Sequence, residues 1–151
     1  LHDVPSSQLF RHHFLGIKPM QTQRWGSGVP GRSHTVARGD TVWTVSNARN
    51  LQAGFQEQTM ETLAILQSFL EQAGTAKGHL LTVQVVLADI AHREEFNEIW
   101  CDWIGPDPNH WPQRAVIGAA LAPGLLVEVI ATAHRTQLPP NLSMSVGTAG
   151  Q

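Results

Sequence analysis

Apolar and polar positions along the chain alternate with two different periods. His34-Thr35-Val36-Ala37 and Thr41-Val42-Trp43-Thr44-Val45 flank Arg38-Gly39-Asp40, which predicts a β-hairpin. Phe55, Thr59, Leu63, Leu66 and Leu70 then recur at helical spacing, and Gly74 is placed to stop the helix. Leu80 to Leu87 is an apolar, β-branched run of the kind found in buried strands. Phe96, Ile99, Trp100, Trp103 and Ile104 mark a second amphipathic helix, closed by Gly105-Pro106. Two further strands are predicted, about residues 115–121 and 125–133, joined through Ala122-Pro123-Gly124. The order β-β-α-β-α-β-β implies an α+β protein, one sheet with two helices on one face.

Residues 1–33 show no sustained periodicity and read as an N-terminal extension ending in the loop Gly26-Ser27-Gly28-Val29-Pro30-Gly31. Residues 34–134 hold the predicted core, and 135–151, with Pro139-Pro140 followed by Ser, Gly and Thr, read as a tail. On the last strand Val127, Val129 and Ala131 point one way, and Leu126, Glu128, Ile130 and Thr132 the other. Both sets are mostly apolar. Two helices cover one face only, so the second face is expected to pack against other copies in a closed ring such as a trimer.

Composition supports that expectation. Of 151 residues 42% are hydrophobic and only 15% charged, against an average near ~25%. The net charge of −2 excludes the basic footprint of a nucleic-acid binder. No apolar run approaches the ~20 residues of a membrane span. Cys101 is the single cysteine and forms no intrachain disulfide, which favours a reducing compartment; the expected location is the cytoplasm. The eight histidines contain neither an i,i+4 pair nor a His-x-His pair, so no metal or other cofactor is expected.

Arg114, in Trp111-Pro112-Gln113-Arg114, and Glu128, in Leu126-Val127-Glu128-Val129, stand in apolar surroundings. A charge placed there needs a partner or a ligand. They read equally as a structural ion pair or as a carboxylate clamp with an acid/base group. If the two segments pair as strands, both groups face one cavity. Asn97 borders the apolar stripe of the second helix and shares its side with Cys101, which reads as a small core residue rather than a nucleophile. His110 and Trp111 are close enough to Arg114 to line the same pocket.

The strand and helix order, Phe96-Asn97-Glu98-Ile99-Trp100, the Trp-Pro-Gln-Arg stretch and the closing run Leu126 to Ala133 resemble the Rid (YjgF/YER057c) family of enamine/imine deaminases over residues 34–134. The resemblance implies a chorismate-mutase-like fold, a homotrimer and active sites in clefts between subunits. It implies hydrolytic deamination of a small carboxylate-bearing enamine or imine without a cofactor. Arg114 would bind the carboxylate, Glu128 would place the water, Asn97 would lie near the cleft, and the backbone around Ser46 and Val116 would line it. Three departures bear on the substrate. Val45-Ser46 stands where many members have Ser-Gly, the turn before Glu128 is one residue shorter, and the chain has no tyrosine. A non-catalytic trimer that binds a metabolite or partner is the alternative expectation. RNA cleavage, attached by name to parts of the family, ranks last because no basic patch or catalytic histidine pair is evident.

Overall fold

The computed structural model describes residues 20–136. Its elements in chain order are β1 (Thr22–Gly26), β2 (Ser33–Arg38), β3 (Thr41–Asn47), α1 (Phe55–Gln72), β4 (Leu80–Leu87), α2 (Arg93–Ile104), β5 (Gln113–Gly118) and β6 (Val127–His134). The six strands form one sheet in the order β1-β2-β3-β6-β4-β5. Only β4 and β5 are parallel, and α2 supplies the crossover that a parallel pair requires.

The helices follow the predicted spacing. Phe55, Thr59, Leu63, Leu66 and Leu70 are buried on α1, and Phe96, Trp100 and Ile104 on α2. Gly74 and Gly105 take φ of 83° and 87° just past the two helices, a backbone region that glycine enters without a Cβ clash. Both helices cover the same side of the sheet. On that side lie Val42, Thr44 and Ser46 of β3, Val83 and Val85 of β4, and Val127, Val129, Ala131 and Ala133 of β6, all buried. The other side is bare. Trp43, Ile117 and Ile130 are 46%, 41% and 39% exposed there.

Three boundaries differ from the sequence reading. The sheet begins before residue 34, because Thr22 to Gly26 pairs antiparallel with β2. This edge strand has one large apolar residue, Trp25, packed against the core, so hydropathy alone does not reveal it. The last two strands do not pair with each other: β4 lies between β5 and β6. Finally, Arg135, assigned to the tail, is buried. Its backbone N–H donates to Asp40 O, its Nε to Gly39 O, and its Nη1 to Gln23 Oε1 and Ala73 O. It ties β1, the β2–β3 turn and the end of α1 to the end of β6. Residues 1–19 and 137–151, the rest of the expected extension and tail, lie outside the described residues.

A buried glutamine fixes the approach to β6. Gln58 of α1 donates Nε2 to Ala53 O (3.1 Å) and Gly124 O (2.9 Å), and its Oε1 accepts from Leu126 N–H (3.0 Å). Gly124 sits at φ 81°, and Leu125 N–H closes the turn on Ala122 O. The turn that enters β6 is therefore clamped from the helix layer. No bulge interrupts β6 near Glu128, which pairs with Asn47 on one side and Val86 on the other.

Candidate active site

Strand parity decides where the two charged groups go. Arg114 pairs with Val83, whose side chain lies on the helix-covered side, whereas Glu128 pairs with Val86 and Asn47 and faces the bare side. Within one chain the guanidinium and carboxylate are on opposite faces of the sheet. No ion pair joins them among the described residues, and they line different cavities. The expectation of one shared cavity through direct strand pairing is thus corrected: the intervening β4 and the alternation of side chains separate them.

The cavity at Arg114 has a volume of about 600 Å³ and lies between the end of α2, the loop after it and the edge strand β5. Arg114 is half-buried, with its guanidinium 5.3 Å from the Trp100 ring centroid and 5.7 Å from that of Phe96. Its Nη2 donates to Asn97 Oδ1 at 2.7 Å. Its Nη1 is buried and has no partner. Burial lowers the Arg114 pKa from its ordinary value; nearby Cys101 acts in the opposite sense. The planar fork is thus held by one amide and two rings with its Nη1 donors unspent, suited to an anionic oxygen.

The structure brings Asn97 and Arg114 together, and Trp111 lines the same cavity. Cys101 also lines it and is exposed, not a core residue. It is one position past Trp100, which rotates it about 100° off the buried stripe and toward Asn97's side. Val116 is two residues beyond Arg114 on the same side of β5 and packs, partly buried, against the core.

Glu128 lines a second cavity of about 540 Å³, where β3 runs on past the end of its pairing with β2. Asn47, Arg49, Arg32 and His34 share it. His34 stacks on Phe69 with ring centroids 3.6 Å apart. Burial, then the charge of Arg49, lowers its pKa. Its Nδ1 is 2.8 Å from Thr35 Oγ1, which is 2.8 Å from Thr44 Oγ1, and that hydroxyl donates to the His34 carbonyl. Ser46 does not turn toward either cavity. Its side chain is buried on the covered side with an unpartnered hydroxyl, while its neighbours Val45 and Asn47 line the Glu128 cavity.

Asn47, Arg49 and His34 were not singled out as site residues. Their nearness to Glu128 follows from the register of β3 on β6, which periodicity does not encode. Among the described residues no three His, Cys, Asp or Glu side chains gather as metal ligands, and no helix is long and apolar enough to cross a membrane.

A six-stranded mixed sheet with two helices on one face, its last strand set between the third and fourth, defines an α+β protein of the chorismate-mutase-like class. The sequence model of the family described as "Endoribonuclease L-PSP" matches residues 18–135, and the chain belongs to that family, the YjgF/Rid family. A RutC family protein of Haemophilus ducreyi is 37% identical over 78 residues, spanning 51% of this chain and 65% of that protein, just under two thirds of its length. The RutC family protein YoaB of Escherichia coli is 32% identical over 89 residues, covering 59% of this chain and 76% of YoaB. Among solved structures, a YjgF-family protein of Neisseria meningitidis superposes with a TM-score of 0.70 at 28% identity, covering 78% of this chain and 98% of that one.

Proposed function

We propose that this chain hydrolyses a carboxylate-bearing enamine or imine, releasing ammonia and a keto acid, and that it works as a homotrimer. The observation that carries the reading is the Arg114 guanidinium, which lines the cavity and is anchored on Asn97, with its Nη1 buried and unpartnered. A substrate carboxylate would supply the missing acceptor. The enamine takes a proton at carbon to become the iminium, the protonated imine. Water then adds to the C=N carbon with loss of a proton, and the protonated amine leaves the carbinolamine as ammonia, giving the C=O. Positioning and modest acid/base help suffice for so labile a bond.

Glu128 would orient the water. Because it faces the bare side, it meets an Arg114 cavity only if a second copy supplies it. Packing through Trp43, Ile117 and Ile130 would bury the apolar surface left open in one chain. Asn97 would keep Arg114 in place, and the backbone near Ser46 and Val116 would shape the cleft walls.

The test is ammonia release from imines generated in situ by an amino-acid oxidase. Arg114→Gln and Glu128→Gln are each expected to lose about 100-fold in kcat/KM. Light scattering should give three times the 16.5 kDa chain mass. Full activity in Arg114→Gln sinks the reading. The separation of Arg114 and Glu128 within one chain favours a second reading, a binding protein without turnover. Carboxylate-dependent stabilisation with no ammonia release from any imine would select it.

A further inference from the structure

Resting on the reading that Arg114 holds the substrate carboxylate, we infer that the substrate carries one carboxylate and an aromatic side chain. Trp100, Ile104, Pro106, Trp111 and Pro112 supply the apolar lining of the Arg114 cavity. Trp111 is 56% exposed, yet its indole N–H is already given to Gly105 O at 2.9 Å. It therefore offers the cavity a ring and no free donor. Trp100, 5.3 Å from the guanidinium, is nearly buried, so the ring open to the cavity is that of Trp111. A flat apolar group attached near the carboxylate would lie against the Trp111 ring.

Size points the same way. The cavity volume of about 600 Å³ lies within the ~300–1,000 Å³ of small-molecule sites. An imine derived from alanine has roughly six non-hydrogen atoms and leaves most of that space to water, whereas a phenyl- or indole-bearing imine fills much more of it. Charge excludes a second acid. Besides Arg114, the only charged group lining this cavity among the described residues is Asp102, which repels another carboxylate.

The stable 2-oxo acid products serve as probes. Pyruvate and phenylpyruvate would be titrated against the intact protein by calorimetry, with Trp111→Ala and Trp111→Phe alongside and circular dichroism to check folding. Phenylpyruvate is expected to bind about tenfold or more tightly than pyruvate. That ratio should collapse toward one in Trp111→Ala and largely survive in Trp111→Phe. Equal affinities, or a ratio untouched in folded Trp111→Ala, overturn the inference. The ratio of kcat/KM for imines from phenylalanine and alanine separates the two levels. If Arg114-dependent turnover shows no aromatic preference, deamination stands and the aromatic assignment falls. If neither imine turns over but the affinity ratio behaves as stated, the ligand class stands and deamination falls.

Discussion

The two faces of the sheet solve opposite problems. The covered face buries small and β-branched side chains under α1 and α2, and several of its polar groups are engaged internally: Thr35 with Thr44, and Gln58 with three backbone groups. The bare face leaves Trp43, Ile117 and Ile130 open. Arg114 belongs to the first face and Glu128 to the second. One face is complete in a single chain and the other is not. On the proposed mechanism, catalysis spans this divide, so assembly is part of the active site rather than an addition to it.

Substitutions can break that contrast. Phe96, fully buried beneath Arg114, should cost about 3–5 kcal/mol as Phe96→Ala in chemical denaturation. Ile130→Asp should instead lower the oligomer mass at micromolar concentration, with apparent stability becoming less dependent on protein concentration. Equal losses from both, with mass unchanged, would remove the distinction between the faces.

A smaller effect tests the clamp at the sheet's end. Arg135→Leu should cost about 2–4 kcal/mol, because it strands the carbonyls of Gly39 and Ala73 and the amide of Gln23. A change within about 0.5 kcal/mol would return Arg135 to the tail. Gln58→Leu should cost about 1–3 kcal/mol, leaving Gly124 O and Leu126 N–H unpartnered. Hydrogen exchange should quicken at Leu126, next to Glu128, while the hairpin of β2 and β3 keeps its protection.

The smallest effect is a slope with pH. His34 has a folded pKa below the ordinary 6.5, chiefly from burial. The unfolded chain thus takes up a proton near pH 6.5 that the folded chain resists. Stability is unaffected above that pH and falls as the pH drops from 6.5 through the lowered folded value. Melting temperatures of His34→Gln should show a shallower decline over that window, and an unchanged slope would assign the acid sensitivity elsewhere.

The helices, the hairpin and the order of elements were legible because each rests on a local period. Trp111 was legible as a neighbour of Arg114 because a short stretch of chain joins them, whereas Asn97, seventeen positions from Arg114, was tied to the cleft only by the family resemblance. What escaped depends on pairing. β1 is held by hydrogen bonds to β2, not by its own apolar content. The insertion of β4 between β5 and β6 is a property of topology, and with it goes the opposition of Arg114 and Glu128. Cys101 escaped by one step of helical rotation. Arg135 escaped because its partners are two backbone carbonyls and the distant Gln23 side chain, which leave no mark in local sequence.

The position of β6 has a consequence for how the molecule comes into being. This strand, last in order, joins β3, formed some eighty positions earlier, to β4. During synthesis the hairpin with α1 and the β4-α2-β5 unit emerge as two pieces without their shared seam. Closing that seam carries the loop entropy of distant contacts, which slows it relative to the local hairpin and helices. Until then, the open edges of β3 and β4 offer themselves to any other strand nearby. Release of the segment around Val127 to His134 from the ribosome is therefore the event that turns two sticky halves into one domain.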